Sequence, residues 1–240
     1  MPARHQYRSV VAGVEQLPAG IDLPRHRHTA GYATVVLGGA FVEASFAGRF
    51  VVAPGDVLLH GHYDCHANHA LTERGPQILR LPWFDDGIEG HFRVGDPDRL
   101  ARIAERDPLA ATAVLRRTLE PVAPRALHWT DRLAAALAVD PSLSLHEWAD
   151  QERLAPETLS RGFREAFGVS PKLFRLEVRT RRAWRALAGS ERSLTAIAHE
   201  HGFADLAHMS RSVCEFTGFP PSRWRTPGAR PVLLDQLRSS

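Results

Sequence analysis

Lysine is almost missing from this chain. Lys172 is the only one, and the other 29 cations are arginine, a bias of composition that excludes nothing by itself. Cysteine is nearly as scarce. Cys65 and Cys214 stand far apart, which excludes a disulfide framework and the small secreted scaffolds that depend on one. Long apolar runs are missing too, none approaching the ~18 residues of a membrane helix. The opening residues Met1 to His5 lead into no apolar signal core. These absences point to a cytoplasmic chain with no membrane partner. At 240 residues, 44% of them hydrophobic, there is chain enough for one large domain or two small ones with a real core.

What is present is unevenly spread. Residues 1–142 hold 15 Lys/Arg against 16 Asp/Glu, while residues 143–240 hold 15 against 11. The C-terminal part is therefore the basic one, as attraction to phosphate requires. It also repeats itself. Leu145, Trp148 and Ala149 return 49 places later as Leu194, Ile197 and Ala198. Beyond the middle of the unit the offset is 50: Ser160-Arg161 returns as Ser210-Arg211, Gly168 as Gly218, Pro171 as Pro221. Phe174-Arg175 is matched by Trp224-Arg225 in the same way. Each copy is then one supersecondary unit, and its pattern reads as helix, tight turn, helix.

The N-terminal part has a different period. Short apolar runs over 33–37, 41–46, 50–53 and 57–60 alternate with Gly38-Gly39, Ala47-Gly48 and Pro54-Gly55-Asp56, the pattern of a small antiparallel sandwich or barrel. Near Asp96-Pro97-Asp98 the spacing turns helical: Leu100, Ile103, Ala104, Ala111, Val114 and Leu115, then Leu127 to Val139. Breaks at Pro121 to Pro124 and Asp140-Pro141 separate these pieces. The expected fold is α+β with two domains. An antiparallel β-barrel occupies 1–95, and a helical connector and candidate dimer segment 96–142. An all-α domain of two helix-turn-helix subdomains occupies 143–228, with a tail over 229–240.

In the first copy Ser144 caps a short helix, with Glu147 three residues on, and Pro156 opens the next. On that second helix Leu159, Phe163, Ala166 and Phe167 form an inward stripe, and Glu157, Ser160, Arg161 and Arg164 the opposite one. Arginine can take two guanine acceptors and Glu can accept from cytosine, so the outer stripe has base-reading chemistry. In the second copy Ser193, Gly202 and Asp205 are start, turn and cap, with Met209, Val213 and Phe216 inward. The outward set is Ala207, Ser210, Arg211 and Cys214, poorer in readers and better suited to register and backbone contact.

These residues carry a resemblance. Ala149, Thr158 to Phe163, Gly168 to Pro171, Ile197-Ala198, Gly202-Phe203, Ser210-Arg211, Gly218 to Pro221 and Arg225 resemble the AraC/XylS transcriptional regulators. The resemblance implies double-stranded DNA as partner and two subdomains entering adjacent major grooves. It also implies a joining helix over 172–187, spanning roughly 25 Å against a groove repeat of ~34 Å. Activation, RNA polymerase contact and a homodimer are its further implications. His208, Cys214 and Glu215 depart from the family pattern in the second reading helix.

Six of the 13 histidines crowd between residues 26 and 69: His26, His28, His60, His62, His66 and His69. His26 and His28 point to one face of a strand, and two imidazoles plus one from a neighbouring strand make a three-ligand site for Zn, Fe or Ni. His66 is the first choice of third ligand, with His62 and Cys65 behind it; Tyr32 and His62 are placed in an effector pocket, and Arg80, Trp83 and His91 at its mouth. His26-Arg27-His28, Gly38-Gly39, Pro54-Gly55-Asp56 and His66 resemble a sensory cupin domain, implying that this part receives a small-molecule or metal effector. A metal cupin continues with Glu about four places after its second His, where this chain has Tyr32. That departure favours a regulator over the alternative, a metal-dependent cupin dioxygenase or isomerase with the repeats as an accessory module.

Overall fold

The structure is a computed structural model describing residues 11–85, 87–122, 128–188 and 190–225. The opening residues, the expected tail over 229–240 and the start of the Leu127 helix lie outside the described residues. The strands, in chain order, are β1 (Gly13–Gln16), β2 (Asp22–Arg27), β3 (Tyr32–Gly38), β4 (Phe41–Ser45), β5 (Gly48–Val52), β6 (Asp56–His60), β7 (Cys65–Ala70), β8 (Gln77–Pro82) and β9 (Gly90–Arg93). Helices α1 (Pro97–Ala104) and α2 (Pro108–Thr118), a short β10 (Glu120–Pro121) and α3 (Trp129–Val139) follow. The doubled region comprises α4 (Leu145–Gln151), α5 (Pro156–Phe167), α6 (Pro171–Leu187), α7 (Leu194–Glu200), α8 (Leu206–Thr217) and α9 (Pro221–Trp224). Two compact units result: residues up to Ala135 with Glu157–Val169, and Ala136–Pro156 with the residues from Ser170 onward.

In the first unit the strands form two antiparallel sheets, β1-β8-β3-β6-β9-β10 and β2-β7-β4-β5, rather than the one closed barrel expected. The sheet alternation shows why the larger sheet has two uses. Ala33, Val35, Val57, Leu59, Leu79 and Leu81 point one way and pack with Leu100, Ala104, Ala111 and Leu115 of α1 and α2. The residues between them, Val36, Leu58 and Ile78, join Leu17, Phe41 and Val52 in a second core. The apolar faces of α1 and α2 are thus consumed inside the chain. Of the 96–142 segment, α1 and α2 pack on the sheet, while Leu109 of α2 and Val139 of α3 stay exposed. Asp96 and Asp107 cap these helices through Arg99 N and Leu109 N. Asp131 on α3 accepts a forked pair from Arg49 at 2.9 and 3.1 Å.

The second unit is built on α6. Its buried residues include Phe174, Val178, Ala183, Trp184 and Leu187. Three arginines of α6 donate to successive carbonyls of the incoming chain: Arg175 to Leu143, Arg179 to Pro141, and Arg182 to Ala138. Trp224 closes the far end, its indole N–H donating to Thr217 Oγ1 at 3.1 Å.

Candidate functional site

Two places concentrate chemistry, the doubled helical unit and the histidine cluster. In the doubled unit, Ser144 and Ser193 accept from Glu147 N and Ala196 N at 3.3 and 3.1 Å. After each first helix the chain turns identically, with Leu154 N to Ala149 O and Phe203 N to Ala198 O both 2.9 Å. The turn residue is Gly202 in one copy (φ +70°) and Arg153 in the other (φ +54°). The change of offset falls just after this turn. The second copy has Ala204-Asp205 where the first has Ala155 alone, and the added Asp205 caps α8 by accepting from His208 N at 2.6 Å. Gly168 and Gly218 end α5 and α8 at φ +74° and +81°, a left-handed conformation that glycine adopts without steric cost.

The outward stripe of α5 is where the sequence puts it. Glu157, Arg161 and Arg164 are exposed and Ser160 half-buried, and all four line one open groove with Glu165. Leu159, Phe163 and Phe167 are buried, the two rings stacked at 4.7 Å. On α8, Ala207, Arg211 and Cys214 are exposed, Ser210 is half-buried, and Met209, Val213 and Phe216 are buried. His208 is half-buried with its ring edge-on to Phe203 at 5.2 Å.

The histidines meet between the two sheets. His26 lies directly opposite His66 across β2 and β7, and a register shift between Leu23 and His26 sets that pairing. Ligand nitrogens of His26, His28 and His66 come within 4.8 Å of one another, and all three side chains are buried. His26 Nδ1 lies 2.9 Å from the Pro24 carbonyl. A proton there puts the ring's lone pair on Nε2, the tautomer a metal ligand needs. Tyr32 adjoins His66, its hydroxyl 3.2 Å from Nε2, and stacks on His60 at 4.4 Å. Burial first, then the charge of Glu43, lifts the Tyr32 phenol well above its ordinary value. Burial also lowers His66, with His60, His26, His28 and Arg25 adding to it, which disfavours a proton on its second nitrogen.

His26, His28, Tyr32 and His66 line a cavity of about 560 Å³ together with Arg80, Glu43 and an apolar wall including Leu23, Phe41 and Ile78. His62 does not line it; it is half-buried in the turn after β6. Cys65 alternates with His66 along β7 and faces the other way. Trp83 joins the helix-side core, and His91 pairs with Asp56 at 3.2 Å.

The residues that sequence reasoning passed over are Glu43 and Asp64, and it gave His60 no role beyond membership of the cluster. His60 Nδ1 lies 2.9 Å from Asp64 Oδ2, and His60 Nε2 3.6 Å from Glu43 Oε2. Asn68, paired with Glu43 across β4 and β7, donates to Glu43 Oε2 at 2.9 Å. Burial pushes Glu43 up to about 6. Burial opposes a charge on His60, but Glu43 and the bond and charge of Asp64 outweigh it and hold His60 above its ordinary value. One signal was available: Phe41, Glu43 and Ser45 share a strand face, so the carboxylate was bound to follow Phe41 inward.

A search among curated proteins gives no match. Among solved structures, ToxT from Vibrio cholerae aligns over 90% of this chain and 97% of its own, at 10% identity and TM-score 0.41. The C-terminal domain of AraT, a response regulator from Geobacillus stearothermophilus, aligns over 42% of this chain and 87% of its own, at 21% identity and TM-score 0.39. A probable AraC family regulator from Rhodopseudomonas palustris aligns over 43% and 98%, at 21% and 0.39. Likenesses this remote assign no residue a role. The family model described as a helix-turn-helix domain matches residues 148–227. That match falls on the doubled unit with its repeated caps, turn and Ser-Arg pair, so the C-terminal third of the chain is a helix-turn-helix domain of the AraC type.

Proposed function

We propose that this protein is a one-component regulator in which an effector in the N-terminal cavity controls how the two helix-turn-helix units engage double-stranded DNA. The observation that carries the reading is the outward stripe of Glu157, Ser160, Arg161 and Arg164 in one groove of α5. A forked guanidinium beside a hydroxyl and a carboxylate is the donor and acceptor set that major-groove edges require. Arg211 and Ser210 serve register and phosphate contact, with Ala207 against a thymine methyl. The cavity has a polar end, where His26, His28, Tyr32 and His66 stand, and an apolar wall, so it suits a small molecule with both characters. If the effector is instead a divalent transition metal such as Zn, Fe or Ni, His26, His28 and His66 are neutral donors close enough to hold it. The effector acts by binding the DNA-competent and incompetent states unequally. A homodimer that activates through RNA polymerase completes this reading.

Selection of bound duplexes from random DNA, with and without added zinc, tests it. A motif with two boxes about one helical turn apart is the expected result. Failure of the full chain to enrich any motif sinks the proposal.

A further inference from the structure

Beside the three-histidine group stands a second constellation that no cupin resemblance implies. Glu43, His60 and His66 also bring one ligand atom each within 4.8 Å of one another, and all three are buried. We infer that this trio, two imidazoles and one carboxylate drawn from β4, β6 and β7, is the tighter cation seat of the protein, selective for Zn(II) or Fe(II).

Four observations support the assignment. First, the outer contacts already fix the ligands. Asp64 holds His60 by Nδ1 and Asn68 holds Glu43 by Oε2, at 2.9 Å each. A carboxylate behind a ligating imidazole is the support that metal-bound histidines carry. Second, His60 Nε2 and His66 Nδ1 are buried without a hydrogen-bond partner, a cost that a bound ion removes. Third, the 3.6 Å between His60 Nε2 and Glu43 Oε2 is close to the roughly 3.4 Å that two ligands ~2.1 Å from one tetrahedral ion keep. Fourth, charge decides between the two trios. His26, His28 and His66 would bury a dication among neutral rings, whereas Glu43 supplies an anion where unpaired charge is expensive. Nitrogen and carboxylate donors in this ratio suit Zn(II) or Fe(II) and leave coordination positions open. Glu43 and His66 both line the cavity, as do His26 and His28, so an ion here faces whatever enters it.

The seat stands on geometry and needs no DNA to be tested. The full-length chain, stripped with chelator, is titrated with Zn(II) and, without oxygen, with Fe(II) against a chromophoric competitor. Glu43→Gln and His60→Ala should weaken binding at least tenfold, and Asp64→Asn about tenfold. His26→Ala with His28→Ala should leave the affinity within about threefold, whereas His66→Ala removes it. The reverse pattern, or no binding by the unaltered protein, overturns the assignment. Where a buried variant fails to fold, pulsed electron paramagnetic resonance of the unaltered protein loaded with Cu(II) counts coupled imidazoles: two support the seat, three refute it. A failed DNA selection leaves this result standing, and a failed titration leaves the DNA reading untouched.

Discussion

At the scale of single residues, Arg161 is the sharpest prediction. Exposed on α5 beside half-buried Ser160 and exposed Glu157, it should read a base by its fork. Arg161→Ala is expected to cost about 1–3 kcal/mol on the preferred site and to flatten discrimination at one position. Arg211→Ala should weaken all sequences alike and lower the salt dependence by about one phosphate. Binding titrations over several sequences and salt concentrations separate the two. Arg153 carries another prediction. It holds φ +54° where the second copy has Gly202, and a left-handed backbone costs a side chain roughly 1–2 kcal/mol. Glycine in the unfolded chain returns roughly 0.5–1 kcal/mol of that, so Arg153→Gly should stabilise by at most about 1.5 kcal/mol in denaturant melts. His201 sets a pH dependence. Burial, then Arg192 and Arg182, lower its value. A depressed histidine contributes stability above its unfolded value near 6.5, and that stability is lost as pH falls through the lowered value. His201→Gln should therefore flatten the decline in stability on acidification from pH ~7 toward ~5.

At the scale of elements, the helices show how packing overrides propensity. Gly162 sits inside α5, where alanine would normally gain about 1 kcal/mol. A Cβ there, however, would lie 2.7 Å from the Trp129 ring, and overpacking costs typically ~1–3 kcal/mol. Gly162→Ala should therefore destabilise, and adding Trp129→Leu should recover part of the loss, a coupling that a double-mutant cycle measures. The arginines of α6 are graded in the same way. Arg175 and Arg179 are half-buried and Arg182 is exposed. Arg175→Met, which strips a charged donor from Leu143 O at 2.5 Å, should cost about 1.5–3 kcal/mol. Arg182→Met should change stability by less than ~0.5 kcal/mol. Helix periods, caps and turn glycines were legible because they are local: Ser144, Ser193, Asp205 and Gly218 each act within one turn of their own position. The arginine donations were not, since Arg182 and Ala138 are 44 residues apart. Period alone says that a residue faces outward, not which carbonyl it meets.

At the scale of the whole molecule, among the described residues no helix is long and apolar enough to cross a membrane, and the chemistry divides between a doubled helical unit and a histidine-lined cavity. The strand runs, the Gly and Pro-Gly turns and the doubled unit could all be read from order in the chain, because alternation and repetition are written in neighbouring residues. So could the nearness of His26 and His28, two apart at the end of β2, which closes at Arg27. Whether the strands close into a barrel or part into two sheets could not, since that depends on which edges find partners. The apolar faces of α1 and α2 were visible, but only the fold shows them packed against Leu79, Leu81 and Val57. The sequence favoured His62 over His60, two places away, as the pocket residue. The fold buries His60 between Asp64 and Glu43 and leaves His62 half-exposed in a turn. By itself, then, the sequence determined the period of each element, the repeat and the residue types available for reading DNA, all properties set within a few bonds of each residue. Only the tertiary structure decided which side chains from β4, β6 and β7 share a buried space, because that proximity comes from strands pairing across the sheet and sheets stacking on one another, not from distance along the chain.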